Sequence, residues 1–366
     1  MALTRLTSAN AIPDDSVANV KMANIVQSKN IIINGDMQVS QRATSTSSIT
    51  SNGYHTIDRW QTNCTAGGTW TQSQDTDVPS GYGFANSIKM DCTTADSSLA
   101  AGDRLIIQQA IEGQNLQYLK KGTSSAESLT VSFWIKSVKT GTYILELYDN
   151  DNTRQISKSY TVSSASTWEK KTVTFAGDTT GTFGNDNAAS LYLNFWLAAG
   201  STYSGGTLNT SWAANTNANR AVGQVNLADS TSNDCWITGI QMEAGDTASE
   251  FEFLPYDLNL ARCQRYYYKR LSENAYGPGS QGMQIGSSNT MIQGYHPVVM
   301  RSAPSMSGSN WSCEHSGNAS VCSMGSTRTS TTAWSSENSL SGTDGDAAIL
   351  YANNNTAADI TGDAEL

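Results

Sequence analysis

Three histidines, His55, His296 and His315, are all the imidazole this chain carries. So few, so widely spread, leave little material for a Ser-His-Asp triad or a catalytic zinc. His55 stands beside Asp58-Arg59-Trp60 and reads as a packed residue. Paired carboxylates are the other route to hydrolysis, and glycoside cleavage needs two of them flanking the bond. Glu146, Asp149 and Asp151 come nearest, at a strand end. The plainer reading is a turn, Asp149 to Asn152, with Glu146 facing outward. The same turn clusters hard oxygens, so Ca²⁺ is the metal it would suit. Gly277, Gly279 and Gly282 match G-x-G-x-x-G without the preceding strand and βαβ context that give the motif meaning, and read as a loop. No Walker P-loop, H-E-x-x-H, G-x-S-x-G or EF-hand loop is present. The expectation is a protein that is not an enzyme and needs no cofactor, with Ca²⁺ the one open alternative.

Aromatic residues are the richer resource. Trp134, Tyr192 and Trp196 fall on the non-core side of their strands by alternation, and Trp70, Tyr203, Trp212, Trp311 and Trp334 sit in polar stretches. An exposed aromatic stacks on the apolar face of a sugar ring, so these last five are the candidate carbohydrate-binding residues. The plain alternative is a second packing layer or a subunit interface, where Trp and Tyr are also enriched.

The elements that must position such residues are strands. Leu129, Val131, Phe133 and Ile135 alternate with Thr130, Ser132, Trp134 and Lys136, the period of a strand with one buried face. The pattern recurs at Tyr143-Leu145-Leu147, Val173-Phe175 and Leu191-Leu193-Phe195-Leu197, and closes with Cys235 to Glu243. Turn residues punctuate the gaps, which predicts a β-sandwich. Composition agrees: 38% hydrophobic and only 15% charged, the balance being made up by Ser, Thr, Asn and Gly.

The formal net charge is −10 and the pI about 4.8. An acidic chain repels phosphate backbones, so nucleic acid is not an expected partner. No run approaches the ~20 apolar residues of a membrane span, and the N-terminus lacks a secretory core, so synthesis in a cytosol is expected. Cys64, Cys92, Cys235, Cys263, Cys313 and Cys322 match no zinc spacing. They read as free thiols, with a Cys313–Cys322 bridge as the alternative.

Along the chain, residues 1–30 scatter Leu3, Leu6, Ile12, Val17, Val20 and Ile25 among polar residues without a period. They are too short for a core of their own and read as a docking segment. Residues 31–256 form the sandwich, with a long insertion between Ala198 and Asp234. Residues 257–282 read as a short helix, Asp257 to Arg270 with Asp257 as N-cap, followed by a linker. Residues 283–366 read as a small β domain, thin in large apolar groups, for which oligomerisation is the natural remedy.

Several stretches resemble one family. Ile31-Ile-Ile-Asn-Gly-Asp-Met-Gln-Val-Ser-Gln-Arg42 followed by Ile57-Asp-Arg-Trp60 looks like the start of a jelly-roll module common in bacteriophage tail fibres. Leu129 to Ile135 and Trp168 to Phe175 resemble its middle, and Gly239-Ile-Gln-Met-Glu-Ala-Gly245 with Phe251-Glu252 its closing strand. Ala261 to Tyr268, Pro297 to Pro304 and Gly362 to Leu366 are similar to the parts that follow. The resemblance implies a homotrimeric fibre with a carbohydrate-binding-module-like jelly roll, anchored to the virion through residues 1–30 and binding a host-surface polysaccharide. It implies a virion protein of the phage tail, made in the bacterial cytoplasm. A polysaccharide depolymerase and a capsid-decorating head fibre are the alternatives.

Overall fold

The computed structural model describes residues 29–272, 274–315, 318–322 and 327–366. The expected anchoring segment 1–30 therefore lies outside the described residues except for Lys29 and Asn30, whose amides both donate to Glu252 Oε2 at 2.9 Å.

Thirteen strands build the first unit: β1 Ser45–Ile49, β2 Gly53–Tyr54, β3 Gln61–Thr65, β4 Thr69–Asp75, β5 Ser87–Thr94, β6 Arg104–Glu112, β7 Leu129–Ser137, β8 Gly141–Asp149, β9 Arg154–Val162, β10 Glu169–Phe175, β11 Ala189–Ala199, β12 Ala213–Ala214 and β13 Asp234–Ala244. They divide into two antiparallel sheets. The first has the order β1-β4-β5-β13-β7-β10, the second β12-β9-β8-β11-β6-β3-β2. The alternating residues expected to be core are core: Leu129, Val131, Phe133 and Ile135 meet Tyr143, Leu145, Leu147, Leu191, Leu193, Phe195 and Leu197 in one buried cluster. Phe133 meets Phe195 edge-on, with ring centroids 5.0 Å apart. A fully buried side chain of this size contributes roughly 1.5–3 kcal/mol, and that burial is what holds the sheets face to face.

Two local features set how the chain enters. Asn34 takes a left-handed φ of 57°, and its side chain closes a loop by bonding Val39 through both N–H and C=O. At Gly35 a Cβ would stand 2.0 Å from the Ile240 carbonyl oxygen, so only glycine fits there. Gln109 then ties Ile33 to the second sheet by two 2.8 Å bonds.

The region from Thr62 to Gly83, expected as polar loop, contains β3 and β4 instead. The intervening Gly67 and Gly68, at φ +72° and +86°, carry the chain from one sheet to the other.

The helix is shorter than expected. It spans Tyr256–Gln264 with Pro255, not Asp257, at its N-cap. The next residues, Tyr267–Leu271, form strand β14 against Asp359–Asp363. Consecutive tyrosines favour a pleated, half-buried surface over a helix. The expected Gly277–Gly282 linker likewise runs into a strand, Pro278–Ile285.

The C-terminal strands after β14 are β15 Pro278–Ile285, β16 Asn289–Tyr295, β17 Ser305–Ser309, β18 Ser312–His315, β19 Asn318–Val321, β20 Thr327–Thr329, β21 Ala333–Ser339, β22 Ala347–Tyr351 and β23 Asp359–Asp363. They make a three-stranded sheet, β14-β23-β17, and a seven-stranded one, β19-β18-β22-β15-β16-β21-β20. Ile292, Trp311, Trp334, Leu350 and Ile360 form the core of this part. The chain end returns to the sandwich: Glu365 pairs with the buried Arg59, and Tyr54 donates to the Leu366 carbonyl at 3.0 Å.

Candidate functional site

Four of the five expected sugar-stacking residues are buried. Trp70 is fully inside the sandwich core, Trp311 and Trp334 lie in the C-terminal core, and Tyr203 packs on Trp196 with ring centroids 5.4 Å apart. Trp70, Tyr203 and Trp311 offer no broad face for a sugar, and Trp334, though only 4% exposed, lies in the wall of an open cleft beside Tyr295 and Arg328. Trp70 shows why the sequence misled. Its inward neighbour on β4 is Gln72, whose Oε1 accepts from the Thr56 amide and hydroxyl at 3.1 and 2.6 Å. A polar residue pointing inward disguised a core strand as a loop. Trp212 alone stays half-exposed, its indole N–H on the Ala176 carbonyl at 2.7 Å.

The outer face of the second sheet collects polar and aromatic side chains in register. Gln61 on β3 stands opposite Gln108 on β6, Gln108 opposite Asn194 on β11, Asn194 opposite Glu146 on β8, and Glu146 opposite Ser157 on β9. Strands repeat about every 4.8 Å, so this row of five is about 19 Å long. It is wired together. Gln108 Nε2 donates to Gln61 Oε1 at 2.6 Å, Asn63 Nδ2 to Gln108 Oε1 at 3.1 Å, and Asn194 Nδ2 to Glu146 Oε2 at 2.9 Å. A second row lies beside it: Ala110, Tyr192, Tyr148 and Gln155. The two tyrosines pair with centroids 6.3 Å apart, both half-exposed, and neither hydroxyl bonds to a described residue. Burial, then the neighbouring Tyr148, pushes the Tyr192 hydroxyl above its ordinary pKa, so it stays a donor.

The long insertion closes one end of this face. Arg220 grips Glu146 with two bonds of 2.7 and 2.9 Å and lies over Tyr148 at 5.1 Å. Trp196, expected to face away from the main core, does so, but Ala221, Tyr203, Ile106 and Ile144 cover it. Glu146 is fully buried and takes a further bond from Trp196 Nε1 at 3.0 Å. A carboxylate with four donors on it is a fixed scaffold element. What remains open is the stretch from Gln61 and Asn63 to the tyrosine pair. Beneath it Asn194, only 3% exposed, holds its buried Oδ1 without a partner among the described residues.

The Asp149–Asn152 turn does not fit a Ca²⁺ ion. The Lys121 ammonium lies 2.6 Å from Asp149 Oδ2 and 3.2 Å from Asp178 Oδ2, and donates to the Thr180 and Gly181 carbonyls at 2.8 and 2.9 Å. Four oxygens already surround a fixed cation. Burial alone would raise the pKa of Asp178, but Arg154 and Lys121 outweigh it and hold it low. Among the described residues no group of three or more His, Cys, Asp or Glu side chains converges as a metal site. His296 is buried and bonds the Tyr268 hydroxyl, while His315 bonds the Ser341 carbonyl. All six cysteines are buried free thiols.

The row Gln61–Gln108–Asn194 was missed in the sequence. Alternation along each strand gives its outward side, yet the alignment of five distant strands is set by pairing.

No family model and no curated protein matches the sequence. Among solved structures, the chain is similar to the enzymatically active domain of bacteriophage CBA120 tailspike protein 4, at 14% identity and a TM-score of 0.31, over 59% of this chain and 21% of that one. It is also similar to a family 61 carbohydrate-binding module in complex with β-1,4-galactotriose, at 9% identity and 0.29, over 59% and 99%. A sugar-binding protein from Bacteroides thetaiotaomicron gives 11%, 0.31, 59% and 100%. Likenesses this distant carry nothing about ligands over to this chain.

Proposed function

We propose that this chain is a non-catalytic adhesion protein of a bacteriophage fibre, which holds a host-surface polysaccharide on the open face of the second sheet. The row of amide side chains beside the half-exposed Tyr148–Tyr192 pair, open at Gln61 and Asn63, carries this reading. A glycan lying across the strands would meet hydrogen-bonding amides on one side and ring faces on the other, over about 14 Å from β3 to β8, the span of a short oligosaccharide. The saturation of Glu146 by Arg220, Asn194 and Trp196, and of Asp149 by Lys121, favours holding over cutting. Three copies would multiply weak single-site binding by avidity. Residues 1–30 would join the fibre to the tail of the particle, which is assembled in the bacterial cytoplasm.

The test is titration of purified host polysaccharide, with reducing ends assayed in parallel. Tyr192→Ala and Asn194→Ala should each weaken binding about tenfold, the effect of about 1.4 kcal/mol, with no new reducing ends, and Tyr192→Ala should do so with melting behaviour retained. Binding unchanged in both variants would remove the site. New reducing ends would turn the reading to a depolymerase.

A further inference from the structure

The opposite face of the sandwich carries a second cleft, of about 150 Å³, lined by aromatic side chains. Tyr82 lies against Trp134 with ring centroids 4.3 Å apart, and Phe84, Phe251 and Phe253 form a mutually packed triad at 4.8 to 5.1 Å. Tyr82 is 52% and Phe253 45% exposed. A bulge in β13 builds the floor. Gly239 takes a left-handed φ of +61°, and a Cβ there would come 2.5 Å from the Phe84 ring. The register places Lys170 of β10 directly beside Trp134 of β7. Ser132, Lys170 and Glu250 complete the lining. The Ser132 hydroxyl, the Lys170 ammonium and the Glu250 carboxylate bond no described residue, whereas the neighbouring Lys136 is paired with Asp77 and Lys89 with Asp234.

We propose that this cleft is a second carbohydrate site, which takes one pyranose ring of a glycan end or branch. Its volume equals about five waters' share of the liquid, enough for one ring and too little for a chain. The ring's C–H face would rest on Trp134 and Tyr82. Its hydroxyls would give Lys170 and Glu250, one donor and one acceptor, a partner each. Lys170 and Glu250 stand exposed at the rim of the cleft, where they can reach the ring's hydroxyls from solvent, so a polyol uses both the aromatic floor and the polar rim. The site is independent of the amide row, and together the two would let one chain bridge glycan strands on its two faces.

The full chain should be titrated with methyl glycosides of glucose, galactose, mannose and N-acetylglucosamine, following tryptophan fluorescence and ligand saturation-transfer NMR. At least one should bind, and saturation should reach the sugar's C–H protons. Tyr82→Ala, on an exposed loop residue, and Glu250→Gln should each weaken that binding at least tenfold. Asn194→Ala should leave it unchanged. No binding by any of the four, or equal binding by wild type and both cleft variants, would overturn the proposal. So would a fall in solution mass on Tyr82→Ala, which would make the cleft a contact between copies. Loss of polysaccharide binding at Asn194 with the cleft intact would leave the two sites separable.

Discussion

At the scale of single residues, the sandwich keeps several charged groups where water cannot reach them, and each has a stated partner. Asp58 is fully buried, and burial raises its pKa from 3.8 to about 6 despite bonds from Gln41 that favour the charge. The folded chain therefore holds this proton where the unfolded chain releases it. Between about pH 4 and pH 6 the folded state binds more protons, so stability should fall as pH rises through that window and level off above it. A shift of about two units corresponds to about 2–3 kcal/mol. Denaturant melts of wild type and Asp58→Asn at pH 4 and pH 7 would show it: the wild type should lose that much relative to the variant on going to pH 7. A constant difference would mean that Asp58 titrates normally in the fold. Lys121 teaches a related lesson. A turn that reads as a cation site can be completed by the chain's own ammonium.

At the scale of elements, the seven-stranded C-terminal sheet buries one face in a core and, among the described residues, leaves apolar side chains exposed on the other. Its inner face meets the three-stranded sheet through Trp311, Leu350 and Ile360. Its outer face presents Met283 and Ile349, 53% and 47% exposed, on adjacent strands. Exposed apolar groups clustered this way usually mark an association surface. They support the trimer that the fibre reading requires. Light scattering should then give a mass near three times 39.1 kDa. The double variant Met283→Asp, Ile349→Asp should lower it towards that of one chain, because charges cannot be buried unpaired. A wild-type monomer would remove the trimer, and an assembled variant would move the contact off this face.

At the scale of the whole molecule, the two parts are joined by their buried ends. Arg59, only 1% exposed, stacks 3.5 Å from the Tyr266 ring centroid, donates to the Ala110 carbonyl at 2.7 Å, and meets Glu365 from the far end of the chain. Glu365→Ala would leave that guanidinium buried without a counter-charge, and should cost about 3–5 kcal/mol. Arg59→Met combined with Glu365→Gln should cost less than the single change, because no lone charge remains. Calorimetry on both would decide; equal losses would mean that the pair adds only packing.

The sequence alone determined the class of fold and the inward faces. Alternation at Leu129–Ile135, Tyr143–Leu147 and Leu191–Leu197 named core residues correctly, because a period of two is a local property of the strand. It also placed Tyr192 and Trp196 on the outer side. It misplaced Trp70, because the inward Gln72 breaks the apolar pattern, and it extended a helix through Tyr267, whose strand partner, Asp363, lies 96 positions later. The candidate site was visible only as unrelated polar residues. That Gln61, Gln108, Asn194 and Glu146 share one row, that Arg220 closes its end, and that Trp196 is covered were decided by tertiary structure. Periodicity fixes which side of a strand a residue faces; only long-range pairing fixes its neighbour.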